Sequence, residues 1–273
     1  MTHRFEPRER EGVYLTARDL RVVEAVFAAR YLTGRQIGRL LFGRANSSHC
    51  RSRLRLLFDL GYLRKRDVGQ NDPDVYYLGL QGRRYLAEAG VCSRSLADRV
   101  AGVSGEGAGA PGLMMAHDLA LSELYVEARL EAEGYGWALS WRNARMLELE
   151  QLGVQPDAWL LVSSDAGQQE AYLEFTAAMP SAAEISDKLD GYRAHWERSK
   201  RPCAVLWLAS SQPHAASILE VVRAGAYGDC FLVGLIDDAR GFLTRRMWRW
   251  GDGQDGEGVD MVQWVQPPAR TGA

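Results

Sequence analysis

The chain has 273 residues but only four cysteines, Cys50, Cys92, Cys203 and Cys230, and no two of them form a CxxC pair. Its five histidines show no ligand spacing, so nothing marks a zinc centre and the thiols read as small apolar core residues. No apolar run approaches the roughly twenty residues that a membrane span needs. The opening residues, MTHRFEPREREG, are charged where an export signal requires an apolar stretch, and a cytoplasmic location is the expectation. Net charge is nearly absent too, at −2, but that value hides a division. Residues 1–90 carry 17 Lys+Arg against 10 Asp+Glu, whereas the remainder carries 16 against 25. A basic first part and an acidic second part imply two domains with different partners.

What is present in the basic part is a run of three helices and a hairpin. Thr16 with Asp19 starts the first helix, and Leu20, Val23, Phe27 and Tyr31 recur at helical spacing. Thr33 caps a second helix with Ile37, Leu40 and Leu41 on its apolar side, and Gly43 ends it. A third begins at Asn46 or Ser47 and stops at Gly61. At 100° per residue, Cys50, Leu54 and Leu57 fall on one side of it, and Ser48, Arg51, Ser52 and Arg55 on the other. The strand-like segments Leu63–Arg66 and Val75–Leu78 then flank a Gly/Asn/Asp/Pro turn. This order is that of a winged helix-turn-helix and points to duplex DNA. Arg51 and Arg55, helped by Ser48 and Ser52, would read the major groove, and Arg64, Lys65 and Arg66 would hold phosphate.

After a short helix around Gln81–Ala89, residues 101–112 (AGVSGEGAGAPG) have the composition of a connector. Beyond it the pattern gives a long helix over Met115–Glu133, strands at Trp137–Trp141, Asp157–Val162 and Ala171–Thr176, and a helix over Ser181–Trp196. A strand at Ala204–Ala209, a helix at Ala215–Ala224 and a strand at Cys230–Ile236 follow. The Gly/Asp-rich stretch after Trp250 lacks the spacing of a calcium loop, while Met261, Val262, Trp264 and Val265 suit one more strand.

A hairpin turn centred on Asp165–Ala166 pairs residues whose numbers sum to about 331, which sets Asp157 opposite Glu174. Adjacent carboxylates repel, and a shared divalent cation such as Mg²⁺ is one reason to keep them. Water activated there would attack a phosphodiester.

Pro156-Asp157 and Glu174-Phe175-Thr176 within an αβββαβ order resemble the PD-(D/E)xK nuclease core. The resemblance implies that Asp157 and Glu174 hold metal. It also implies a lysine two residues after the glutamate, where this chain has Thr176. Lys188 on the following helix can take that place, and Glu123 or His117 on the preceding helix can add to the metal set. Over Leu15–Ile236 the chain is similar to the replication-relaxation family of bacterial mobile elements. The similarity rests on LTARDLRVVEAVFAARYLTGRQIGRLLF, SRLRLLFDLGYL, VYYLGLQGRRYL, HDLALSEL, PDAWLLV and YLEFTAAMPSAAEISDKLDGY.

The expected fold class is therefore α+β: a winged helix-turn-helix over 14–90, a linker over 91–113, an α/β PD-(D/E)xK nuclease-like domain over 114–266 and a disordered tail over 267–273. The expected function is a DNA-binding accessory or regulatory protein of a mobile element, working as a homodimer with a relaxase, replication or other mobile-element protein. The alternative is a Mg²⁺-dependent DNA endonuclease using Asp157, Glu174 and Lys188.

Overall fold

A computed structural model of the chain describes residues 7–8, 12, 14–45, 47–66, 74–102, 111–147, 152–165, 167–201, 203–225, 230–238, 240–244 and 248–250. Asn46, the hairpin turn, the Gly/Ala segment over 103–110 and the tail with its expected last strand lie outside them. The fold is α+β, and it forms two compact units that divide between Val126 and Glu127.

In the first unit, α1 (Ala17–Ala29) begins at a capping box in which Thr16 N–H donates to Asp19 and Asp19 N–H donates back to Thr16. Thr33 and Gln36 repeat the device at α2 (Gly34–Phe42), which Gly43 closes with φ 72°. Ser47 caps α3 (Ser48–Asp59). Val23, Val26, Phe27, Ile37, Leu54 and Leu57 form the shared core. Leu40 and Leu41, expected to be buried, are only half-buried. Gln36 is buried instead, because its amide serves the cap and also donates to Glu123 at 2.8 Å.

Three antiparallel strands complete this unit, β1 (Leu32–Thr33), β2 (Leu63–Arg66) and β3 (Val75–Leu78), in the order β1-β3-β2. The chain then enters α4 (Leu80–Glu88) through a close backbone crossing. A Cβ on Gly79 would lie 2.2 Å from the Gly61 oxygen, and one on Gly82 2.3 Å from the Tyr62 oxygen. That space admits the bonds Gly79 N–H to Tyr62 O at 2.9 Å and Gln81 N–H to Gly61 O at 3.0 Å. A short helix, α5 (Arg94–Val100), follows with Ala97 and Val100 buried. Then comes α6 (Pro111–Tyr135), whose Ser122 hydroxyl donates to the Tyr31 oxygen at 2.6 Å and whose Asp118 pairs with Arg30 at 2.8 Å.

The second unit is built on a six-stranded sheet. Its elements are β4 (Ala138–Asn143), α7 (Ala144–Leu147), β5 (Ala158–Ser164), β6 (Gly167–Thr176), α8 (Ala182–Ser199), β7 (Ala204–Ala209), α9 (Gln212–Ala224), β8 (Phe231–Leu235) and β9 (Arg249–Trp250). The strands lie in sequence order; β4-β5-β6 is antiparallel, β6-β7-β8 is parallel through α8 and α9, and β9 returns antiparallel. Every residue of β7 is buried, as a central parallel strand requires. Ile185, Tyr192, Trp196, Ile218 and Val222 of the two helices pack with Tyr172, Val205, Trp207 and Phe231 of the sheet. In the β5–β6 hairpin Ala158 pairs with Leu173 and Ser164 with Gly167, so paired numbers sum to 331. No described helix is long and apolar enough to cross a membrane.

Candidate functional site

Asp157 stands one residue before β5, and its N–H donates to the Leu173 oxygen at 3.1 Å. Continuing the hairpin register by one step sets it opposite Glu174. Its Oδ2 accepts the Phe175 N–H at 2.8 Å. Glu174, near the end of β6 and level with Trp207 of β7, is fully buried. Two residues of α8 meet it. Lys188 donates to Oε2, and Tyr192, one turn later on the same helix face, donates its hydroxyl hydrogen to Oε1 at 2.7 Å. The Lys188 ammonium also lies 5.8 Å from the centroid of the Trp207 ring. Asp157, Glu174 and Lys188 are therefore gathered at one end of the sheet.

Burial, and after it the Asp157 charge, push the Glu174 carboxyl up to about 7 against the pull of Lys188 and Tyr192. Burial works to lower Lys188, but the Glu174 and Asp157 charges outweigh it and hold the ammonium above its ordinary value. Burial and the neighbouring Glu174 raise the Tyr192 hydroxyl well above its ordinary value. Thr176 occupies the lysine position of the nuclease pattern and does something else there, because its hydroxyl oxygen accepts the indole N–H of buried Trp207 at 2.8 Å. A lysine at 176 has no acceptor to offer that indole.

A divalent cation of the magnesium type requires several hard oxygen ligands. Both Glu174 oxygens here carry donors, and one Asp157 oxygen is bonded to backbone. Among the described residues no group of three or more His, Cys, Asp or Glu is placed to hold a metal. As arranged, these residues do not fit the ion. Glu123, an expected contributor, is engaged in the first unit by Gln36 and Arg39. Tyr192 was not legible as part of the cluster, since its place in the Ile185, Leu189, Tyr192, Trp196 stripe gives a core face and not a hydroxyl partner.

The expected reading face is on α3. Ser48, Arg51 and Ser52 are exposed, while Cys50, Leu54 and Leu57 are buried on the other side. Arg55 is half-buried, paired with Asp59 at 2.8 Å and lying 5.3 Å from the Phe58 ring centroid. Arg53 serves the fold by pairing with buried Asp19. On β2, Arg64 is exposed and Arg66 half-buried, while Lys65 pairs across the hairpin with Asp74 at 2.8 Å. Two exposed groups beside this face escaped the helical-face reading: Arg44 in the turn before α3, and His49, edge-on to Phe42 with centroids 5.7 Å apart. Arg44 could be found from its position in the turn, whereas His49 falls between the two faces at 100° per residue.

No curated protein and no solved structure matches this chain. A family model described as replication-relaxation matches residues 24–205, two thirds of the chain, a span that includes α3, the β2–β3 hairpin, Asp157, Glu174 and Lys188. The chain therefore belongs to the replication-relaxation family.

Proposed function

We propose that the chain is a DNA-binding accessory or regulatory protein of a mobile element, acting in replication, in relaxation at a transfer origin or in control of transcription. The observation that carries the reading is the exposure of Ser48, Arg51 and Ser52 on the side of α3 opposite its buried Cys50, Leu54 and Leu57. In this reading α2 and α3 are the helix-turn-helix and the β2–β3 hairpin is the wing. Arg51 forks onto a base edge, Arg55, one turn later on α3 and paired with Asp59, stands beside it, and Arg64 and Arg66 meet phosphate. Lys65, tied to Asp74, contributes less than its charge suggests. The acidic part of the chain serves self-association in a homodimer, or contact with a relaxase or replication protein. Gel shifts on DNA upstream of the gene and at candidate origins test this, with Arg51→Ala and Arg55→Ala expected to lose sequence preference.

The second reading is a Mg²⁺-dependent endonuclease. Only the gathering of Asp157, Glu174 and Lys188 favours it, and the engaged oxygens of Glu174 oppose it. Nicking of supercoiled plasmid with Mg²⁺ or Mn²⁺, abolished by Asp157→Ala, would establish it.

A further inference from the structure

We infer that Arg83 and Arg94, set around Asp98 near Arg64, form a phosphate-binding site on α4 and α5, outside the helix-turn-helix and the wing, and that it takes a backbone phosphate of the DNA flanking the sequence read by α3. The inference rests on the DNA-binding reading and adds two helices to the contact surface.

The two arginines converge on one carboxylate. Arg83 Nη1 lies 3.1 Å from Asp98 Oδ1, and Arg94 Nε lies 3.1 Å from that oxygen and 3.2 Å from Oδ2. Packing fixes the helices that carry them, since Leu86 of α4 and Ala97 of α5 are fully buried. Gly82, seated against the Tyr62 oxygen, brings Arg83 to the base of β2, where the Arg64 charge reaches it. Three guanidiniums thus stand together, with Asp98 the one acid ion-paired to them among the described residues.

Arg83 shows that this balance is incomplete. It is only 9% exposed, yet its Nε and Nη1 have no hydrogen-bond partner among the described residues, because the contact with Asp98 lacks hydrogen-bond alignment. Buried donors are normally satisfied, and a buried charge needs both a counter-ion and hydrogen bonds. Burial lowers the Arg83 guanidinium below its ordinary value; Asp98 opposes this, and the Arg94 and Arg64 charges add to it. A guanidinium keeps its proton at neutral pH, so a second anion supplies what Asp98 does not. The planar fork grips phosphate oxygens two at a time, and the more exposed Arg64 and Arg94 open the cluster to solvent. Duplex DNA presents such phosphates in a row.

Fluorescence anisotropy of the full chain on labelled duplexes, over a series of salt concentrations, tests the site. Arg94→Gln is expected to weaken every duplex alike and to lower the salt slope by about one, as the loss of one phosphate contact does. Arg94→Lys keeps the charge and is expected to keep the slope. Asp98→Asn retains an oxygen for both arginines and is expected to strengthen every duplex, whereas Asp187→Asn, the same loss of charge on an exposed residue of α8, leaves affinity unchanged. A merely structural ion pair would alter thermal melts and not raise affinity in Asp98→Asn. Inorganic phosphate at matched ionic strength is expected to compete with duplex on the wild-type chain more than on Arg94→Gln. Folded Arg94→Gln and Asp98→Asn variants that change neither affinity nor slope, while Arg51→Ala loses sequence preference, would overturn the inference and leave the reading of α3 standing. An equal gain from Asp98→Asn and Asp187→Asn would also overturn it. A wild-type chain that binds no duplex at low salt would overturn both.

Discussion

Lys188 reaches from α8 to the buried carboxylate of Glu174 and so ties the helix to the strand it covers. Because Glu174 is raised to about 7 from an ordinary 4.5, it holds its proton more tightly folded than unfolded. Its contribution to stability is full below 4.5 and is lost as the pH rises through about 7. Glu174→Gln removes the titration while leaving an acceptor for Tyr192. The variant is expected to show a flatter stability profile than the wild type across that window, by of order 1–3 kcal/mol. Urea midpoints at closely spaced pH values measure it, and parallel profiles would contradict it.

Asp19 and Arg53 make the corresponding tie in the first unit. Burial pushes the Asp19 carboxyl up, but the bonds from Arg53 and Thr16 and the guanidinium charge hold it below its ordinary 3.8. Its contribution is therefore present above 3.8 and is lost as the pH falls through the lower folded value. Asp19→Asn strands part of the Arg53 charge and weakens the α1 cap, at a cost of about 3 kcal/mol. Chemical denaturation near neutrality should record that loss; a change within experimental error would show the pair to be dispensable.

Two helical glycines should respond oppositely to alanine. At Gly82 the new methyl would sit 2.3 Å from the Tyr62 oxygen, so the turn before β2 must move, at about 1–3 kcal/mol. Gly134 in α6 has nothing within 4 Å of an added Cβ, so alanine there gains helix propensity of up to about 1 kcal/mol. Melting curves showing the same sign for both would refute the backbone crossing at Gly61–Gly82.

The local signals that sequence carries in full are those made by neighbours along the chain. Thr16, Thr33 and Ser47 each cap the expected helix, and the turn at Asp165 fixes the register that sets Asp157 against Glu174. What periodicity does not reveal is a partner far away in the chain. Glu123 looks like a spare acid on a helix surface, yet it is committed to Gln36 and Arg39. Lys65 reads as a free cation in an Arg-Lys-Arg run, yet Asp74 claims it across the hairpin. Strand β1 is only two residues, Leu32 and Thr33, too short to alternate, and exists because β3 has an edge to satisfy.

Within the DNA-binding reading the cations of the first unit should separate into three kinds. Arg51→Ala removes an exposed arginine and is expected to lose about 1–3 kcal/mol of discrimination between sequences. Arg64→Ala should weaken all sequences alike and lower the salt slope. Lys65→Ala should weaken DNA binding least, because Asp74 already neutralises that ammonium. Competition titrations against random duplex distinguish these outcomes, and equal losses for all three would remove the distinction.

Fluorescence anisotropy of the full chain on a labelled duplex, at low and at physiological salt, tests the proposed function most directly. The expected result is binding whose affinity falls steeply with salt and drops further in an Arg51→Ala, Arg64→Ala double variant. An affinity that is absent at low salt, or that the double variant leaves unchanged, would contradict it.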